Sequence, residues 1–223
     1  MDEVRVIEIK KSIFSANDED ASNLREKLNK KHVFLANIMS SPGSGKTTTL
    51  VALINLLKKN LRIKVMEADL DSAVDAKQVS ERTGIEAIQL HTGGMCHLDA
   101  KMTEYGLDHL NLDDTDLVFL ENVGNLVCPA EFDTGSHINV NILSVPEGDD
   151  KPLKYPLMFE VCDLVIINKI DVLPYFNFDV DKCKEYIKRR NPKADIILVS
   201  ALKGDGIQEL ADWFMNKIKE ERK

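Results

Sequence analysis

Two sets of residues in this chain could do chemistry. The first is SSPGSGKTT, residues 40–48, a glycine-rich turn that ends in a lysine and two hydroxyls. Glycines let successive backbone N–H groups converge on a phosphate at the start of a helix. Lys46 would reach the β- and γ-phosphates and the Thr47 hydroxyl a Mg²⁺ ion, with Gly43, Ser44, Gly45 and Thr48 completing the cradle. Ser40 stands where the usual pattern opens with glycine, so it must take its backbone angles with a Cβ attached. The second set is softer: Cys96 and His97 in TGGMCHLD, and Cys128 in ENVGNLVCP. Thiolate and imidazole suit Zn²⁺ and Ni²⁺. Neighbours in a helix interior point about 100° apart, so Cys96 and His97 can share an ion only from a loop or a helix end. Three ligands leave a tetrahedral site one short, and unrelated loop residues are the other reading of these positions.

NKID, 168–171, closes one apolar run, and SALKGDG, 200–206, follows the next. The Asp171 carboxylate can accept two hydrogen bonds from guanine N1 and its exocyclic amine, a pair that adenine cannot offer. Lys169 can lay its stem over the base while Asn168 ties the loops together. The backbone around Ser200, Ala201 and Leu202 can meet guanine O6. In register with a phosphate loop, this combination points to GTP rather than ATP. Phosphoryl transfer also needs Mg²⁺ and carboxylates to hold or polarise the water around it. Asp69, Asp71 and Asp75 in EADLDSAVDA and Glu121 in ENVGN are the candidates, with Asp69, Glu121 and Thr47 as the expected Mg²⁺ set. Asp71 or Ser72 could equally cap the helix that follows. Lys46, Asp75 and Glu121 form the expected catalytic group. Gly124 permits close approach of a backbone amide to a γ-phosphate.

These residues need a frame that brings loop ends together, and the chain alternates as such a frame would. Apolar runs at 33–39, 61–69, 85–90, 116–122, 137–145, 163–171 and 194–201 read as strands. Helical patterns begin at TTTLVALINLLKK and recur at 73–84, 98–110, 152–162, 180–191 and 206–222, with a charged N-terminal helix ending near residue 31. Near-continuous Val, Ile and Leu imply strands buried on both faces. The expected fold is a three-layer α/β P-loop domain with a mostly parallel sheet, spanning 32–223 after a helical extension over 1–31.

The chain has 223 residues and is 43% hydrophobic, enough for one sizeable core. Its formal charge of −8 argues against a large nucleic-acid footprint. No apolar run approaches the roughly 18 residues of a membrane span. MDEVRVIEIKK lacks a signal-peptide layout, so the expected location is the cytoplasm. Cys162 and Cys183 lie in apolar or amphipathic runs and read as packing residues. His32, His91, His109 and His137 read as structural or surface residues.

SSPGSGKTTTL, TGGMCHLDA, ENVGNLVCPAEFD and NKIDVLPY together resemble the HypB family, GTPases that assist nickel insertion into [NiFe]-hydrogenase. The resemblance runs from about residue 15 to the C-terminus and is shared, more distantly, with the urease nickel-chaperone GTPases. It implies a slow GTPase whose nucleotide-dependent homodimer carries a metal site at the interface. Cys96, His97 and Cys128 match the family's metal positions, and a second subunit would complete the ligand set. Partners implied are a second copy, the nickel chaperone HypA and the hydrogenase large-subunit precursor. No CCGC-type motif and no His-rich tract occur, so a storage role is not implied. The competing expectation is a protein-targeting type of GTPase whose output is partner docking, with incidental cysteines. An ATP-dependent kinase is disfavoured by NKID.

Overall fold

The computed structural model describes residues 9–69 and 74–222. The Val-, Ile- and Leu-rich runs become seven strands: β1 (Phe34–Ser40), β2 (Ile63–Asp69), β3 (Ala87–His91), β4 (Leu117–Glu121), β5 (Ile138–Ser144), β6 (Leu164–Asn168) and β7 (Asp195–Leu198). The helices are α1 (Ile9–Lys30), α2 (Lys46–Leu57), α3 (Val74–Thr83), α4 (Ala100–Leu107), α5 (Cys128–Glu131), α6 (Lys151–Lys154), α7 (Pro156–Glu160), α8 (Val180–Arg190) and α9 (Ile207–Glu221). Among the described residues, the strands form one wholly parallel sheet in the order β3-β2-β4-β1-β5-β6-β7.

Each face of the sheet is covered, as parallel strands require. On one side, α2 and α9 lie over Phe34, Ile38, Phe119 and Val140, with Phe119 and Phe214 edge to face at 5.4 Å. On the other, Leu24 and Leu28 of α1 join Leu107, Val118 and Leu120, while Met158, Phe159, Cys162, Cys183 and Ile187 build a third cluster. Cys162 and Cys183 are buried there, in accord with a packing role.

Several boundaries differ from the sequence-based expectation, each for a local reason. The N-terminal helix, expected on DEDASNLREKLNKK (18–31), is already formed at Ile9, the first described residue. The helix expected over 98–110 opens at Ala100, where Asp99 caps it by accepting from the Met102 amide at 2.8 Å. The expected helix over 152–162 breaks at Tyr155, whose non-helical backbone precedes Pro156. The strand expected to reach residue 171 stops at Asn168, because Lys169 turns into the left-handed region at φ +62°. The short helix α5, with Pro129 in its first turn, carried no signal in the sequence.

Strand β1 lies between β4 and β5, so its loop opens beside the C-terminal ends of both. That crevice is where open parallel sheets bind ligands. No described helix is long and apolar enough to cross a membrane.

Candidate functional site

The phosphate loop leaves β1 at Ser40. Gly43 and Gly45 take φ of +76° and +96°. At Gly45 an added Cβ would stand 2.6 Å from Asn168 Nδ2, so glycine is what lets the NKID segment close on the loop. Ser40 holds its strand geometry, and its hydroxyl has a use. It donates to the Ser41 carbonyl at 2.7 Å and accepts from Ser44 Oγ at 2.6 Å and from Lys46 Nζ at 3.0 Å. Ser41 in turn is hydrogen-bonded to Glu147, a contact that carried no sequence signal. Glu147 is held by the amide and hydroxyl of Ser144, both at 2.7 Å.

Beside this loop, where the sequence led us to expect the base, lies a cavity of about 270 Å³ bordered by Gly45, Thr48, Asn168, Lys169, Asp171, Val172, Ala201 and Leu202. Asn168 donates through Nδ2 to the Ser44 carbonyl at 2.9 Å and to Thr49 Oγ1 at 3.2 Å. Its Oδ1 accepts from the amides of Lys169 at 2.7 Å and Ala201 at 3.2 Å. One buried amide therefore joins three loops. The left-handed backbone of Lys169 is strained for a residue with a side chain, and it lets Nζ reach the Gly43 carbonyl at 2.6 Å. Asp171 accepts from the Ser200 hydroxyl at 2.6 Å.

A larger cavity of about 580 Å³ continues past Lys46, Thr47 and Thr48 to Asp69, Asp75, Glu121 and Gly124. Thr47 Oγ1 donates to Glu121 Oε1 at 3.1 Å. The same cavity is lined by Glu67 and Gln78, which sequence reasoning missed. A glutamate inside the apolar strand IKVMEAD was the available signal. Burial raises the pKa of both Glu67 and Glu121, and for Glu67 the Glu121 charge adds to it. One oxygen of each carboxyl is buried without a donor. Hard, unsatisfied oxygens beside a threonine hydroxyl form a donor set that fits Mg²⁺. Asp71 and Ser72 lie outside the described residues. Gly124 rests on the phosphate loop: a Cβ there would meet Pro42 at 3.1 Å.

Of the soft residues, Cys128 sits at the far end of the same segment, and Cys96 and His97 lie in the loop between β3 and α4. Gly93 and Gly94, at φ +62° and +97°, turn the chain into the Cys96 loop, and the Thr92 hydroxyl closes the turn on the Met95 carbonyl at 2.6 Å. Cys128 begins α5, and its thiol lies beside Cys96, whose proximity, with burial, raises its pKa. His97 does not join them. Its ring stacks on Phe132 at 4.0 Å with Nδ1 buried and unpartnered, and Phe132 touches Phe14 of α1 at 5.0 Å. Among the described residues, no group of three His, Cys, Asp or Glu side chains could hold a metal ion. One copy of the chain thus pairs two of the three expected ligands.

A glycine loop handed from a central parallel strand to a helix, with a cavity on either side of it, makes this a P-loop nucleotide-binding protein. Residues 34–198 match the family described as CobW/HypB/UreG, nucleotide-binding domain. The chain belongs to that family, on its HypB branch. It is 44% identical over 213 residues to the hydrogenase maturation factor HypB of Escherichia coli K12, covering 96% of this chain and 73% of that one. The crystal structure of HypB from Helicobacter pylori in complex with nickel superposes with a TM-score of 0.88 at 40% identity, covering 93% of this chain and 97% of that one. HypB from Archaeoglobus fulgidus gives 0.84 at 37% identity, with 92% and 99% covered.

Proposed function

We propose that this chain is a GTP-hydrolysing switch that handles nickel during maturation of [NiFe]-hydrogenase. The observation that carries the reading is the run from Glu121 to Cys128. One end is hydrogen-bonded to Thr47 of the phosphate loop, and the thiol at the other lies beside Cys96 of the metal loop. Asn168, Lys169, Asp171 and the Ser200–Ala201–Leu202 backbone bind guanine. Lys46, released from Ser40, neutralises charge on the β- and γ-phosphates. Thr47, Asp69 and Glu121 would hold Mg²⁺, which when bound offsets the negative charge of the phosphate oxygens. Asp75, in the first turn of α3, faces the same cavity and serves with Lys46 and Glu121 in the catalytic group. Hydrolysis to GDP and phosphate resets the switch.

Because Gly124 rests on Pro42, any shift of the phosphate loop is felt along the segment and at the Cys128 thiol. Cys96, His97 and Cys128 take Ni²⁺, or Zn²⁺ in its place, with His97 leaving Phe132. A second copy completes the ligand set in a nucleotide-dependent homodimer. HypA and the hydrogenase large-subunit precursor are the partners to test, and residues 1–31 act as a helical extension of the GTPase domain at 32–223. The nickel complex of the Helicobacter pylori neighbour supports this reading. Linkage requires that metal and nucleotide alter each other's affinity by the same factor.

Calorimetry with Ni²⁺, with and without a GTP analogue, tests it, while light scattering reports the dimer fraction. Cys128→Ala should keep GTP affinity and lose roughly tenfold or more in nickel affinity. Unchanged nickel affinity would remove the reading. No metal binding by the unaltered chain in either nucleotide state would favour a docking GTPase with incidental cysteines.

A further inference from the structure

Strand β2 buries a glutamate: Glu67 is 2% exposed. Its register partner on β4 is Glu121, 1% exposed. The two carboxyl groups lie close enough to interact, and among the described residues Oε2 of each finds no donor. Pairing through Ile38 and Val140 places both on the sheet face beneath α2, beside Lys46 and Thr47. The Glu67 backbone carbonyl is already satisfied, accepting from Gln89 Nε2 at 3.1 Å, so the carboxyl group is what remains to be explained.

Burying a carboxylate without a partner is costly, and two side by side repel. Two lysines line this cavity: Lys46 is held by Ser40 at 3.0 Å and is aimed at phosphate in the working state, and Lys169 is turned to the Gly43 carbonyl at 2.6 Å. An apolar residue at position 67 would suit the strand better. Asp69 and Asp75 line the same cavity and add further negative charge. The phosphates of a nucleotide are themselves anionic and cannot relieve this. A hydrated divalent cation can.

We propose that Glu67 is a determinant of divalent-cation binding in this pocket: paired with Glu121, it adds a second carboxylate to the seat of the Mg²⁺ that accompanies the nucleotide, accepting hydrogen bonds from the waters of the ion. The inference rests on the Mg²⁺–nucleotide reading of the pocket. It makes Glu67 a positioning residue. A purely structural role would be a protonated Glu67 donating to Glu121, and glutamine reproduces that donor without the charge.

The test uses a fluorescent GDP analogue, titrated in EDTA and then at rising Mg²⁺. For the unaltered chain, affinity must rise with Mg²⁺; if it does not, the pocket reading fails whatever Glu67 does. Glu67→Gln should bind within about twofold of the unaltered chain in EDTA and require about tenfold more Mg²⁺ for the half-maximal effect. Without nucleotide it should melt no lower than the unaltered chain. Glu67→Asp, which keeps the charge but draws it back by one methylene, should shift the midpoint by a smaller factor. Should Glu67→Gln not fold, an unshifted midpoint in Glu67→Asp overturns the proposal. So does an unshifted midpoint in a folded Glu67→Gln, or an equal loss of affinity with and without Mg²⁺.

Discussion

Gly124 approaches Pro42 so closely that a single methyl group decides whether the two segments can touch. A Cβ at 124 would lie 3.1 Å from the proline Cγ and 3.2 Å from its nitrogen, and neither a ring nor backbone yields easily. Overpacking of this kind costs about 1–3 kcal/mol. Gly124→Ala should therefore weaken binding of a GTP analogue by roughly tenfold while changing GDP affinity much less, as read by competition binding; equal losses would place the damage in the loop itself. Asp171 offers a second residue-scale test. Each hydrogen bond to a charged group contributes roughly 1.5–3 kcal/mol, so Asp171→Asn should lower GTP affinity by about 100-fold. Its amide can instead face the carbonyl of xanthine, so xanthosine nucleotides should bind better than to the unaltered chain. The Oδ1 of asparagine can still accept from Ser200, which keeps the loop in place. Asp171, Asn168 and Lys46 were legible because their motifs are local. Glu67 was not, since its meaning comes from Glu121 on a neighbouring strand.

Among the elements, α1 depends most on tertiary contacts. Leu28 is fully buried against Val118 and Leu120, and Arg25 is paired with Asp133 at 2.8 Å. Asn17 joins two loops by donating to the Asp133 carbonyl at 2.9 Å and accepting from the Ala100 amide at 3.0 Å. Leu28→Ala should cost about 3 kcal/mol, measured by denaturant unfolding. His137 locks the other end of this junction. Its Nδ1 accepts from the Leu35 amide at 2.9 Å, so the ring is neutral and its Nε2–H faces Asn29 Oδ1 at 2.8 Å. Burial, with Arg25 adding to it, pushes the pKa down to about 4 from an ordinary 6.5. The unfolded chain therefore takes up the proton first as pH falls. Stability from this group is whole above about pH 6.5 and declines towards pH 4, by roughly 2 kcal/mol at pH 5. Comparing unfolding at pH 7 and pH 5 should show a smaller acid loss in His137→Gln than in the unaltered chain. Helix α1 was visible as a charged periodic segment over 18–31, but not its continuation back to Ile9, nor that Phe14 reaches Phe132 beside His97.

For the whole molecule, the sheet order brings the two candidate sites to the same end of the strands. With β1 flanked by β4 and β5, the loops after β1 and β4 meet, and the β4 loop runs on to the cysteine pair. Because α1 shares its buried leucines with the sheet, unfolding should be a single transition. Far-ultraviolet circular dichroism and the fluorescence of Trp213, the sole tryptophan, should then change together; an earlier loss of helix would show α1 to be a separate unit.

The amino-acid order alone determined the alternation of strand and helix and the phosphate loop, because each rests on contacts between residues near in sequence. It also marked Cys96, His97 and Cys128 as soft ligands. Only the tertiary structure decided which of these meet. The two thiols come together, and His97 is held on Phe132. Glu67 faces Glu121, and the Ser40 hydroxyl holds Lys46. The physical reason is the same throughout: strand register and helix docking bring distant residues to within a hydrogen bond, and no local pattern encodes that distance.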